Sequence, residues 1–133
     1  MQRLVVLGGG ESGVGTAILG KQKKYEVFVS DRGTIAQKYK DVLLHHEIDF
    51  EENQHTNDLI FNADLVMKSP GISDAVPLIV QLKEKGIPVI SEMEFAGKYT
   101  QATIVGITGS NGKTTTTMLT HHILKNAGLD VGL

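Results

Sequence analysis

Short apolar runs alternate with stretches of helical periodicity along most of the chain, and this alternation constrains the fold more than any other feature. Residues 3–7 read as a strand that ends in Gly8-Gly9-Gly10-Glu11-Ser12-Gly13. Residues 12–22 follow as a helix, with Val14, Ala17, Ile18 and Lys21 on one face. A second strand, 26–30, closes on Asp31-Arg32-Gly33. Helical spacing returns over 35–46, where Ile35, Tyr39, Val42, Leu43 and His46 share a stripe. A short strand at 48–50, a helical turn at 56–61 and a strand at 64–68 come next. Ser69-Pro70-Gly71 predicts a turn in which proline sets the second φ and glycine takes a positive third. A helix over 76–85, stopped by Gly86, leads to a strand at 87–90. Repeated strand–helix units of this kind predict an α/β fold, a parallel sheet with helices on both faces.

Ser91 and Glu94 have the spacing of a capping box, which predicts a helix running to about Lys98. Residues 99–102 then link to a further strand-like run, Ile104-Val105-Gly106-Ile107. A change of domain is expected within 91–102, giving one domain over 1–92 and the beginning of another over 93–133. The chain has 133 residues, enough for one ordinary domain or for a smaller domain plus part of a second. Its hydrophobic content of 41% supports a real core, and a net charge of −2 offers no basic footprint for nucleic acid or a membrane surface. With no cysteine, disulfides and thiolate metal sites are excluded. Met1 leads straight into a strand too short for a signal sequence or membrane span, so a soluble cytoplasmic protein is expected.

Two glycine-rich turns carry the chemistry. Gly8-x-Gly10-x-x-Gly13 follows a strand and opens a helix, the context a nucleotide-binding turn requires. Asp31 ends the next strand, where an acid meets a ribose in dinucleotide-binding folds. The plainer alternative is close strand–helix packing, and the motif does not say which nucleotide is held. Farther on, Gly109-Ser110-Asn111-Gly112-Lys113-Thr114-Thr115 joins an apolar run to an amphipathic helix, the layout of a phosphate-binding loop. The outer glycine is displaced: Ile107 holds its usual place, with Gly106 one residue early. A plain turn does not account for Lys113 at a helix N-terminus, where a cation opposes the dipole, or for four successive threonines from Thr114. A polyphosphate with Mg²⁺ accounts for both, with Lys113 on the outer phosphates and the Thr114 hydroxyl on the metal.

Other residues read as structural. The pairs His45-His46 and His121-His122 point in different directions on their helices and do not converge on a metal. Glu92 and Glu94 suit a capped helix start, the lysines at 21, 23 and 24 a solvated helix end, and Met67, Met93 and Met118 a core-filling role. Ser69-Pro70-Gly71-Ile72 stands at a strand's C-terminal end, where it either lines a nucleotide crevice or is a simple turn.

Taken in order and spacing, Gly8 to Gly13, Asp31, Ser69-Pro70-Gly71-Ile72 and Ile107 to Thr115 resemble the Mur ligases of peptidoglycan synthesis. The displaced glycine is usual in that family. Asn111 and the Ser-Pro-Gly-Ile turn favour its D-glutamate-adding member, since the alanine-adding member typically has histidine at that loop position. The resemblance implies a Rossmann-like domain that holds UDP, followed by the start of a P-loop ATPase domain. It places Gly8, Gly9, Gly10, Glu11, Ser12, Gly13 and Gly71 near the ribose and diphosphate, and Asp31 and Arg32 near the uracil. Family members often carry arginine two residues after the aspartate; here that place is Gly33. ATP would lie on Gly109, Ser110, Asn111, Gly112, Lys113, Thr114 and Thr115, with Mg²⁺ on Thr114 and Lys113 catalytic.

The implied activity is ATP-dependent amide formation between UDP-N-acetylmuramoyl-L-alanine and D-glutamate through an acyl phosphate, by a cytoplasmic monomer. The expectation is an N-terminal fragment of such an enzyme, about its first third and inactive alone, because no acidic Mg²⁺ partner and no amino-acid site follow the loop. The alternatives are a stand-alone NAD-binding module, a related ligase for another amino acid, and a regulatory or scaffold protein with a degenerate loop.

Overall fold

Leu4, Val5, Val6 and Leu7 have no exposed surface, so the strand that carries them must be covered on both faces. The computed structural model describes residues 1–132. Its strands β1 (Arg3–Leu7), β2 (Glu26–Ser30), β3 (Asp49–Glu51), β4 (Leu65–Lys68) and β5 (Val89–Ile90) form one parallel sheet in the order β3-β2-β1-β4-β5. The register sets Val5 opposite Phe28 on one side and Val66 on the other. Side chains alternate across the sheet as strand geometry requires. Leu4, Val6, Val27, Val29, Leu65 and Met67 face one way, and Val5, Leu7, Phe28 and Val66 the other.

Helices α1 (Glu11–Gln22), α2 (Gln37–His45), α3 (Asn57–Ile60), α4 (Pro77–Glu84) and α5 (Glu92–Gly97) cover these faces. Val14, Ala17, Leu43 and Phe95 join the first apolar cluster; Ile60, Ile79 and Leu82 join the second. The buried face of α1 is made of small residues, Gly13, Thr16, Ala17 and Gly20, beside Val14. A Cβ on Gly20 would stand 2.7 Å from Leu4 Cδ2, so the missing side chain sets how closely this helix approaches the sheet. Lys21 is exposed and lies off that face, and its ammonium donates to the Glu47 carbonyl at 2.7 Å.

Both halves of the capping box at α5 are present: the Glu94 N–H donates to Ser91 Oγ, and the Ser91 N–H donates to the Glu94 carboxylate. Phe95 is fully buried and meets the rings of Tyr25 and Tyr99 edge-on, at 5.8 and 5.3 Å between centroids. These contacts tie α5 to the sheet domain. The chain divides into two compact units after Thr100, and the line drawn after residue 92 falls inside the first of them.

The second unit, from Gln101 onward, contains α6 (Lys113–Asn126). Two expectations are corrected. The strand expected at 104–107 does not form: among the described residues of this unit no second strand is present to pair with it, and Ile104 and Val105 are both 62% exposed. Of the three methionines expected in a core, only Met67 is there. Met93 is 65% exposed on the outer side of α5, and Met118 is 53% exposed on α6, a helix with no buried residue.

Candidate functional site

From β1 the chain turns to β2 on one side and later fills β4 on the other, so the C-terminal ends of β1 and β4 flank a topological switch point. Open α/β sheets bind ligands at such points. The Gly8 N–H donates to the Ser30 carbonyl at 2.9 Å, and the Ser69 N–H to the Leu7 carbonyl at 2.9 Å, which fixes the two loops side by side. Gly8 has φ +104°, and a Cβ there would stand 2.4 Å from Ser69 Oγ. Both its dihedral and its surroundings therefore demand glycine. Gly13 has a different role: a Cβ on it would lie 1.8 Å from the Gly8 carbonyl oxygen. Gly10 caps α1 in extended conformation without any side-chain cap, so the first-turn amides of that helix are left for another acceptor.

Asp31 holds this turn in place. One carboxylate oxygen accepts the Gly9 N–H at 2.6 Å and the other accepts the Gly33 N–H at 2.7 Å. Between the loops lies a cavity of about 850 Å³, within the range of ligand pockets. Gly8, Gly10, Ser12, Asp31, Arg32 and Gly71 line it, bringing together most of the first group of residues singled out in the sequence. Gly9, Glu11 and Gly13 are not among its lining residues. One wall is polar, formed by Asp31, Arg32, Asn53, Gln54 and His55; the opposite wall is largely apolar, formed by Ile72, Val76, Pro77, Leu78 and Ile79.

The turn at Ser69 differs from expectation. It closes with an Ile72 N–H bond to the Ser69 carbonyl at 3.0 Å, but Gly71 is not at positive φ. Proline preorganises the turn, and no left-handed third position is needed. A Cβ on Gly71, as on Gly10, would meet nothing within 4 Å. Neither backbone strain nor packing calls for glycine at these two places, and both face the cavity.

The polar wall beyond Arg32 was not legible in the sequence. Backbone bonds zip the loop after β3 onto the loop after β2: Asp31 N–H to Glu51 O, Gln54 N–H to Asp31 O, and Asn53 N–H to Gly33 O. Beneath it Glu51 is buried and accepts from Ser30 Oγ, Gln54 Nε2, and both the N–H and Oγ1 of Thr56. Burial pushes the Glu51 carboxyl up, but these hydrogen bonds, led by the Thr56 N–H, outweigh it and hold the group below its usual value. His55 Nδ1 lies 2.7 Å from Ser30 Oγ. Burial pulls His55 down against the opposing fields of Glu51 and Asp31, and Arg32 lowers it further, so the ring is neutral near pH 7. The only available signal was a carboxylate, Glu51, closing a short strand.

In the second unit, Gly112 caps the 14-residue α6 at φ +75°, a left-handed position suited to glycine. This helix also lacks a side-chain cap, and Lys113 Nζ folds back to donate to the Gly109 carbonyl at 2.6 Å. Thr117 Oγ1 donates to the Lys113 carbonyl at 2.8 Å, so that hydroxyl is committed to the helix. An uncapped helix start, a left-handed glycine and an ammonium over the loop form a donor set suited to a polyphosphate.

A family model described as "MurD N-terminal domain" matches residues 3–77. The chain is 60% identical over 133 residues to UDP-N-acetylmuramoylalanine–D-glutamate ligase from Bacteroides thetaiotaomicron, covering 100% of the chain and 30% of that protein. It is 58% identical over 132 residues to the protein of the same name from Christiangramia forsetii, covering 99% of the chain and again 30% of the relative. The chain thus spans about 30% of the length of these curated relatives. Among solved structures, a pseudomurein peptide ligase type C from Methanothermus fervidus superposes with TM-score 0.65 at 30% identity, covering 100% of this chain and 28% of that one. A murein peptide ligase from Psychrobacter arcticus gives TM-score 0.69 at 24% identity over 98% of this chain and 28% of that one, a likeness of fold. Since the matched residues make up more than half of the sequence and include the glycine turn, Asp31 and the Ser-Pro-Gly turn around the cavity, the chain belongs to the MurD N-terminal domain family.

Proposed function

We propose that this chain is the nucleotide-substrate domain and ATP loop of an enzyme that joins D-glutamate to UDP-N-acetylmuramoyl-L-alanine, using ATP. The observation that carries the reading is the cavity at the switch point of a MurD-family sheet, with an uncapped helix start and two glycines, Gly10 and Gly71, that leave space open. The diphosphate would lie against the first-turn amides of α1, where the helix dipole favours an anion. The nucleoside would extend between the Asp31–Arg32 loop and the Gly71 turn. Both oxygens of Asp31 already accept backbone N–H groups, which gives the carboxylate a positioning part in the turn.

The residues of the second loop fit ATP. Gly109 to Thr115 would hold it, Lys113 would leave the Gly109 carbonyl for the outer phosphates, and the Thr114 hydroxyl would serve Mg²⁺. ATP supplies the phosphoryl group that turns the alanyl carboxylate, a poor acyl donor, into an acyl phosphate open to attack by the D-glutamate amine. Lys113 and the loop amides supply positive charge where two anions must approach. A cytoplasmic location follows from the substrates; among the described residues no helix is long and apolar enough to cross a membrane.

The test is amino-acid-dependent phosphate release by the whole protein with UDP-N-acetylmuramoyl-L-alanine and ATP. D-Glutamate should support turnover, and Lys113→Ala should lower it by roughly a hundredfold or more while leaving UDP-substrate binding unchanged. Inactivity with D-glutamate, or turnover retained by Lys113→Ala, would overturn the assignment.

A further inference from the structure

The chain of hydrogen bonds under the polar wall fixes more than the shape of a loop. Glu51 is ionised and can only accept, so the Ser30 hydroxyl donates to it at 2.7 Å. That hydroxyl has no second hydrogen, and the 2.7 Å contact to His55 must therefore be a bond from His55 Nδ1–H to Ser30 Oγ. The network assigns the tautomer: with Nδ1 protonated and the ring neutral, Nε2 carries a lone pair. Among the described residues Nε2 has no hydrogen-bond partner, and the ring lines the nucleotide cavity. The backbone bonds between the β2 and β3 loops set this edge beside Asp31, at the nucleoside end of the cavity. The apolar wall opposite offers no charged group.

We propose that His55 is a ligand-binding residue whose Nε2 accepts a hydrogen bond from an N–H or O–H donor of the bound nucleoside, with Ser30 and Glu51 as the residues that hold its tautomer. The inference rests on the nucleotide reading of the cavity. Arg32 beside it can only donate, and each oxygen of Asp31 already accepts one amide, so the neutral His55 ring supplies this wall with an acceptor that has no partner yet. A uridine nucleotide carries three candidate donors: the N3–H of the base and the 2′ and 3′ hydroxyls of the ribose.

Calorimetric titration of the chain with UMP and with UDP-N-acetylmuramoyl-L-alanine tests the proposal, using wild type, His55→Leu and His55→Phe. The phenylalanine keeps the bulk of a ring without an acceptor, so the two variants separate the hydrogen bond from the shape of the cavity. Both should bind roughly fivefold more weakly than wild type, the worth of one neutral hydrogen bond. N3-methyl-, 2′-deoxy- and 3′-deoxy-UMP then identify the donor. One analogue should lose about the same factor against wild type and nothing further against either variant, a full thermodynamic coupling. Unchanged affinity in both variants, or analogue losses equal in all three proteins, would overturn the role of His55 alone. Failure of the wild type to bind any uridine nucleotide would overturn the nucleotide reading together with this inference.

Discussion

Replacing Gly13 by alanine should destabilise the sheet domain even though alanine is the better helix former. On an exposed helix the exchange would gain up to about 1 kcal/mol. At Gly13 the added Cβ would lie 1.8 Å from the Gly8 carbonyl oxygen, 3.0 Å from its carbon and 3.4 Å from Val6 Cγ1. The obstacle is backbone, so no rotamer change relieves it, and either the glycine turn or the whole of α1 must move. Overpacking of this kind costs about 1–3 kcal/mol, and more where backbone must shift. The net loss should be about 2 kcal/mol, a fall in Tm on the order of 10 °C for a domain of this size. Two companion substitutions grade the effect. A Cβ on Gly15 meets nothing, so Gly15→Ala should be neutral or stabilising by up to about 1 kcal/mol. Gly20→Ala meets the tip of Leu4 at 2.7 Å and Val27 Cγ2 at 3.1 Å, side-chain atoms that can yield, and should fall between the other two. Thermal and urea unfolding of the three variants measures the order. Gly13→Ala as stable as wild type would refute the claim that this glycine sets the distance between turn and helix.

Three further outcomes follow from single side chains of the sheet domain. Because hydrogen bonds outweigh burial and hold the Glu51 carboxyl below its usual value, its contribution is complete above the unfolded-state value of about 4.3 and is lost as pH falls through the lower folded value. Wild type should therefore lose more stability than Glu51→Gln between about pH 5 and pH 2, read as Tm against pH; equal slopes would contradict this. Phe95→Ala, which empties the site between Tyr25 and Tyr99, should cost about 3–5 kcal/mol in urea unfolding and loosen α5, seen as faster amide exchange over residues 92–97. Ser91→Ala removes only the cap of that helix and should cost about 1 kcal/mol in the same assay.

Except for β3, whose three residues include two carboxylates, the strands were legible because each is a largely apolar run closed by a turn signal, and the capping box because Ser91 and Glu94 satisfy each other locally. Burial on both faces of β1 follows from the same pattern, since a run with no polar residue leaves no face for water. The buried face of α1 was only half legible. Hydrophobic periodicity finds Val14 and Ala17 but passes over Gly13 and Gly20, whose value is the absence of a side chain. Met93 and Met118 misled for the opposite reason: apolar character does not say whether a second layer exists to cover a residue. The run Ile104-Val105-Gly106-Ile107 has strand composition, yet a strand is made by its neighbour across the ladder. At the site, the glycine turn and Asp31 could be found because their spacing is local. The link from Glu51 through Ser30 to His55 joins two strands and a loop, and only the sheet pairing brings these residues together.

The proposed function puts a uridine diphosphate sugar in the cavity between the Gly8–Gly13 turn and the Ser69–Ile72 turn. Titration of the chain with UDP-N-acetylmuramoyl-L-alanine, in parallel with NADH, tests it most directly. Saturable binding of the UDP-sugar at one site is expected, displaced by UDP and abolished when Gly71→Leu fills the open space beside the Ser69 turn, with no binding of NADH. Preference for NADH over the UDP-sugar would contradict it.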